Sequence, residues 1–147
     1  AQLLSLQVAS DGRTIVTGST DKTVKFWEVK AKSDKLRLKC LRTLSVSDEV
    51  LCIRMTPDMR LIAVALLDLT VRVFFVDTLR HYLTLYGHRL PVTCMDISAD
   101  SRVLVSGSGD KNVKIWGLEF GDLRKSIFVR QEALTGVAFI PGSEPGT

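Results

Sequence analysis

The chain has 147 residues, 46% of them hydrophobic and 24% charged, with a formal net charge of +4. That length suits one domain or one piece of a larger one, and the composition excludes a chain disordered over most of its length. The longest apolar run, Leu61 to Leu67, has seven residues, against roughly 20 for a membrane-crossing helix, so no membrane partner is expected. The N-terminus shows neither the basic nor the apolar region of a signal peptide. Cys40, Cys52 and Cys94 are an odd number without a C-x-x-C pair. They set no disulfide framework and no zinc site, which suits a reducing compartment.

In chain order the local signals are all for strands. Leu3 to Val8 comes first, followed by the β-branched Thr14-Ile15-Val16-Thr17. Thr23-Val24-Lys25-Phe26-Trp27 alternates charge with bulk at the two-residue period of a half-buried strand, and Leu38 to Leu44 follows it. The same four recur as Val50 to Met55, Leu61 to Ala65, Val71 to Phe74 and Arg80 to Tyr86. They recur again as Val92 to Ile97, Val103 to Ser106, Val113 to Trp116 and Arg124 to Val129. Gly-Ser-Thr-Asp-Lys (18–22) and Gly-Ser-Gly-Asp-Lys (107–111) are tight turns between second and third strands. No stretch sustains a helical period. The fold class is therefore all-β, with four antiparallel strands per repeat.

The repeat itself is explicit. Asp11 to Trp27, Asp58 to Phe74 and Asp100 to Trp116 align without gaps over 17 residues, at steps of 47 and then 42. In each, two aspartates stand ten apart (11/21, 58/68, 100/110) and an aromatic follows six later. A fourth copy begins, Leu134 to Ile140 matching Val92 to Ser98. The expected repeats are about 1–44, 45–86 and 87–129, with a partial one at 130–140 and a flexible tail at 141–147.

Charge is unevenly placed. Between Lys22 and Arg42 eight Lys/Arg stand against Glu28 and Asp34, a local +6 that leaves −2 for the rest of the chain. Such a stretch suits an acidic partner or RNA phosphates. The plainer reading, and the one preferred, is a solvated connector between strands.

Gly87-His88, then Ser106-Gly107-Ser108-Gly109-Asp110, then Val113-Lys114-Ile115-Trp116 resembles the WD-repeat signature, and Asp21 to Glu28 is similar. The resemblance implies a β-propeller built of four-stranded blades, here a partial one of about three and a half blades. It also implies a structural network within each blade: the second-strand hydroxyl accepts from the Trp, and His bridges that hydroxyl to the turn Asp. Carried over, these are Trp116, Ser106, His88 and Asp110 in the third repeat. Trp27, Thr17 and Asp21 match in the first, where the His place precedes Ala1. In the second, Asp68 remains while Val46, Val64 and Phe74 fill the other places. The Trp-Asp dipeptide is replaced throughout, by Trp27-Glu28, Phe74-Phe75 and Trp116-Gly117.

Ser106, His88 and Asp110 also invite reading as a hydrolase triad. The chain has no G-x-S-x-G elbow, and the fourth member, Trp116, serves a structural network rather than a triad. No catalytic residue is assigned. No phosphate-binding glycine loop and no metal-ligand spacing occurs, so neither cofactor nor metal is expected. Cys52 and Cys94 hold the same place in two first strands and read as small core residues, and His81 reads as a surface residue.

Val50-Leu51-Cys52, Leu66-Leu67-Asp68, Val71 to Leu79, Leu83 to Val92 and Asn112 to Asp122 are more particular than a generic repeat. Their wording resembles the C-terminal propeller of a large nucleolar WD-repeat scaffold of the small-subunit processome, from about Leu4 to Asp122. The resemblance implies a non-enzymatic scaffold in assembly of the small ribosomal subunit, located in the nucleolus. The implied partners are other WD-repeat and processome proteins and small nucleolar or pre-ribosomal RNA. Lys32, Lys35, Arg37 and Lys39 are the candidate contacts to RNA or an acidic segment. Three blades and one strand do not close a ring of four to eight, so the chain is either part of a longer one or self-associates through open blade edges. The other function class open to such a platform is an adaptor that presents substrates in a ubiquitin-ligase or signalling complex.

Overall fold

The computed structural model describes residues 2–32, 35–129 and 136–140. Within them twelve strands form three four-stranded antiparallel sheets, each laid down in chain order. Blade 1 is β1 (Leu3–Val8), β2 (Thr14–Ser19), β3 (Thr23–Lys32) and β4 (Lys35–Ser45). Blade 2 is β5 (Val50–Met55), β6 (Leu61–Leu66), β7 (Val71–Phe75) and β8 (His81–Leu85). Blade 3 is β9 (Val92–Ile97), β10 (Val103–Ser108), β11 (Asn112–Gly117) and β12 (Leu123–Phe128).

The repeated aspartates explain why the chain reverses where it does. Asp11, Asp58 and Asp100 each turn a first strand into a second by accepting backbone N–H groups, from Arg13 and Thr14 at 2.8 and 2.9 Å, from Arg60 at 3.0 Å and from Arg102 at 3.1 Å. The residue after each, Gly12, Met59 or Ser101, takes a left-handed φ of 68°, 58° or 62°. Non-glycine residues rarely visit that region. The side-chain clamp beside them offsets the cost and fixes the turn. Lys22, Leu69 and Lys111 are left-handed in the same way at the second turn of each blade, just after Asp21, Asp68 and Asp110.

The core lies between blades rather than inside one. Val16, Val24, Phe26 and Leu44 of blade 1 pack with Ile53, Ile62, Val64 and Phe74 of blade 2. Ala63, Val73 and Leu85 on the other side of blade 2 pack with Met95, Leu104 and Trp116 of blade 3. Every residue of β6 is buried. This is the physical meaning of the uninterrupted apolar stretch at 61–66: a strand covered on both faces has no reason to alternate, while Leu67, just beyond it, is 42% exposed. Each large side chain so buried contributes about 1.5–3 kcal/mol.

First strands are joined across the blades by side chains. Ser5 Oγ accepts from the N–H of Ile53 at 3.1 Å, and Gln7 Oε1 accepts from that of Met55 at 2.6 Å. Arg54, in the place of Gln7, donates Nε to the Met95 carbonyl at 2.9 Å. Asp96, in the same place in blade 3, accepts the N–H of Phe139 at 2.7 Å. Phe139 thus stands against Asp96 as Met55 stands against Gln7.

Two sequence expectations are revised. The basic stretch read as a connector is strand: β3 runs to Lys32 and β4 starts at Lys35, in continuous register from Thr23↔Ser45 to Lys32↔Lys35 with one bulge at Phe26/Trp27. The alternation Lys35-Leu36-Arg37-Leu38-Lys39 favours a ribbon, and charge alone does not show it. Residues 136–140, expected in the first strand of a fourth repeat, form no strand. A first strand is laid on the second strand of its own blade, and no such partner exists among the described residues. Residues 130–135 of that repeat and the tail at 141–147 lie outside the described residues.

Gly18 marks a close approach of two blades. A Cβ there would lie 2.4 Å from Val50 Cγ1 and 3.2 Å from Ile53 Cγ2. Gly18→Ala is expected to destabilise the chain by about 1–3 kcal/mol through overpacking, read as a lower denaturant midpoint at unchanged slope.

Candidate functional site

Blade 3 brings Trp116, Ser106, His88 and Asp110 into one chain of hydrogen bonds. Trp116 on β11 donates Nε1–H to Ser106 Oγ on β10 at 2.9 Å. His88, just before β9, has Nε2 2.7 Å from the same Oγ and Nδ1 3.1 Å from Asp110 Oδ2 in the β10–β11 turn. Asp110 also accepts the backbone N–H of Arg89 at 2.9 Å and of Asn112 at 2.8 Å. One proton arrangement satisfies every group: Nδ1–H of His88 donates to the carboxylate, Nε2 accepts the Ser106 hydroxyl proton, and Ser106 accepts from Trp116. The imidazole is neutral in that arrangement. A second ring proton would leave the Ser106 hydroxyl without its acceptor, in a place where Ser106 is 0% exposed.

The electrostatics agree. Burial pushes His88 below its ordinary value, and nearby Lys114 adds to the effect, against the pull of Asp110. Burial would raise Asp110, but the N–H groups of Arg89 and Asn112 and the His88 ring outweigh it and hold the carboxyl below the usual range. The hydroxyl of Ser106 is sealed from solvent and engaged on both sides, which is the position of a strut, not of a nucleophile.

Blades 1 and 2 vary the device. Trp27 donates Nε1–H to Thr17 Oγ1 at 3.0 Å. Asp21 is not joined to that pair; it accepts from the Thr23 hydroxyl and holds its own turn. In blade 2, Val64 and Phe74 are buried in the apolar core with Val46 packed against it, and Asp68 accepts from Thr70 N–H at 3.0 Å and pairs with Arg72 at 3.4 Å. Gly117 stands in the place of the Asp of the Trp-Asp dipeptide; a Cβ there would meet only the ends of the half-exposed Asp122 and Arg124 side chains, which can move aside.

The second feature is the ribbon formed by the ends of β3 and β4. β2 stops at Thr14 opposite Glu28, and a last tie, Val29 N–H to the Arg13 carbonyl at 2.8 Å, closes the three-stranded part. Beyond it two strands continue alone. Register pairs Glu28 with Lys39 and Lys30 with Arg37, so these and Lys35 share one face; Val29 pairs with Leu38 and Ala31 with Leu36 on the other. The side chain of Lys32 lies outside the described residues. Lys30, Lys35, Arg37 and Lys39 are exposed. Among the described residues none of them makes an ion pair or side-chain hydrogen bond. Arg42, at the root, is engaged: it donates to the Asp77 carbonyl at 3.1 Å and lies 5.0 Å above the Phe26 ring.

The bridges of Gln7, Arg54 and Asp96 were not foreseen from the sequence, although a polar residue at the same place in three first strands was visible. The split of the ribbon into a basic and an apolar face was equally readable from the period of two.

Comparison with known proteins decides the family. Residues 1–144 match the family model of the WDR3 second beta-propeller domain. The chain belongs to that family. The match continues past Asp122, where the repeat motifs thin and the resemblance read from the sequence stopped. The chain is 47% identical over 107 residues to U3 small nucleolar RNA-associated protein 12 of Saccharomyces cerevisiae, covering 65% of this chain and 11% of that protein. It is 48% identical over 96 residues to WD repeat-containing protein 3 of Mus musculus, covering 61% of this chain and 10% of that protein. The chain thus spans about a tenth of the length of these relatives. A solved structure of U3-55K superposes with a TM-score of 0.80 at 21% identity, over 92% of this chain and 42% of that one, and shows the same propeller fold.

The network makes two predictions. Ser106→Ala leaves the Trp116 indole N–H buried without an acceptor and is expected to cost about 1–3 kcal/mol, whereas Val64→Ser in blade 2 is expected to cost a similar amount by burying a hydroxyl with nothing to bond; urea titrations of both variants check this. In the unfolded chain His88 titrates near 6.5, and in the folded chain its value is lower. Stability is therefore fully present above that value and falls as pH drops below it, because the unfolded chain takes up a proton that the folded one refuses. Denaturant midpoints between pH 7.5 and 5.5 are expected to decline, with a smaller decline for His88→Gln.

Proposed function

We propose that the chain is part of a non-enzymatic scaffold in assembly of the small ribosomal subunit, acting within a small nucleolar ribonucleoprotein particle in the nucleolus. The carrying observation is the match over residues 1–144 to the WDR3 second beta-propeller domain, together with the relative whose name ties it to U3 small nucleolar RNA. The geometry supports a platform. Hydroxyl, imidazole and carboxylate in blade 3 are all used in holding strands together, and turns at both ends of stacked blades offer surfaces for several partners at once. Leu6 and Val8, 58% and 54% exposed on blade 1, continue the face on which Trp27 lies, and in our reading this face takes the next blade of the ring. Other WD-repeat and processome proteins are the partners on this reading, and a second copy of the chain is the competing occupant of that face.

The test is affinity purification of the tagged full-length protein from its own cells, followed by gradient sedimentation with and without ribonuclease. The expected result is a large particle that contains pre-ribosomal and small nucleolar RNA and shrinks on ribonuclease treatment. A small, RNA-free complex that ribonuclease leaves unchanged would favour the adaptor class and overturn the proposal.

A further inference from the structure

We infer that the basic face of the β3–β4 ribbon is a binding site for the phosphate backbone of RNA. That the polyanion is RNA rests on the proposed function; that it is a polyanion rests on the ribbon itself. Lys30, Lys35, Arg37 and Lys39 stand on one face of two paired strands, with Glu28 the one acid described there. Alternate side chains along a strand are roughly 6.6–6.8 Å apart and directly paired ones about 4.5–5.5 Å. The four cations therefore form a row of three along β4 with Lys30 of β3 beside its middle member, Arg37, and a flexible nucleic-acid strand can follow that row with successive phosphates.

What the face lacks decides between a nucleic acid and an acidic protein segment. Protein partners bind through apolar or aromatic anchors that become fully desolvated, and this face carries none. The apolar side chains of the ribbon, Val29, Ala31, Leu36 and Leu38, all lie on the opposite face. That face continues the one carrying Trp27, which pairs with Cys40 next in the register. The two sides thus differ in chemistry: the apolar side, with Leu36 77% and Leu38 56% exposed, continues the open face of blade 1, and the cations stand on the other side. Of the aromatic residues nearest the ribbon, Phe26 is 1% exposed in the core and Trp27 lies on the opposite face from the cations. With no exposed ring on the basic face among the described residues, binding reads the backbone and not the sequence.

The test is fluorescence anisotropy with a labelled 20-nucleotide single-stranded RNA of mixed sequence, on the full chain, at several salt concentrations. Lys35→Glu/Arg37→Glu/Lys39→Glu is expected to weaken binding at least tenfold. It should also flatten the slope of log affinity against log salt by about 2, since each cation contributes roughly 0.7 on a single strand. Lys22→Glu/Lys111→Glu, in turns at the opposite end of the blades, is expected to bind like the parent, as are homopolymer probes of different base. If the triple reversal does not fold by circular dichroism, Lys35→Gln/Arg37→Gln/Lys39→Gln replaces it, with an expected slope change in the same direction. Parental affinity in the ribbon variants overturns the inference. So does equal loss in the opposite-end variant, or competition by poly-glutamate as strong as by RNA, which would assign the face to an acidic protein. Loss of RNA binding in a protein that never co-sediments with pre-ribosomal RNA would fail the proposed function alone.

Discussion

A four-stranded sheet of short strands has two faces and can bury neither by itself. Everything else in this chain follows from that constraint. Blade 2 is covered on both sides, which is why β6 is apolar at every position and wholly buried. Blades 1 and 3 each bury one face against it. Gly18 exists because the blades approach so closely that a methyl group would strike Val50. Ser5, Gln7, Arg54 and Asp96 exist because the first strands run side by side with a backbone edge between them, and that edge needs partners that the ladder of one blade does not supply.

The polar network of blade 3 is a second solution to the same problem. Trp116 supplies a large apolar surface to the interface with blade 2, and its indole N–H then needs an acceptor in a place without water. Ser106, His88 and Asp110 carry that requirement outward to a turn whose backbone N–H groups complete it. Blade 2 avoids the requirement by using Phe74 and Val64. Both arrangements are self-consistent, since a buried polar set is worth having only when every member is satisfied, and either can be exchanged for hydrocarbon as a whole but not in part.

Much of this was legible in the sequence because the repeat removes ambiguity. The first strands were read with their observed ends at Leu3–Val8, Val50–Met55 and Val92–Ile97, since a 17-residue block recurring three times fixes where a strand begins better than any single propensity. Trp116, Ser106, His88 and Asp110 were named together from the WD-repeat pattern, and the structure places them within hydrogen-bonding distance. The length of β3 and β4 was not read, because a run of lysines and arginines draws attention to charge and away from the leucines between them. The inter-blade bridges were not read either. They depend on which strand of one blade lies beside which strand of the next, and that is a tertiary fact without a local signal. Residues 136–140 show the limit from the other side: the words of a first strand are there, but pairing needs a second strand.

The central claim, that the blades are held by burial against one another and not by their own hydrogen bonds, is tested most directly by native-state hydrogen exchange resolved by residue. Blade 1 has the longest backbone ladder, through β3 and β4, so ladders alone would protect it at least as well as blade 2. The account predicts that the amides of β5, β6 and β7 exchange slowest, through the global opening, while those of β1 and β12 exchange through smaller local openings. Equal protection in all three blades, or a blade 2 that opens before its neighbours, would contradict it.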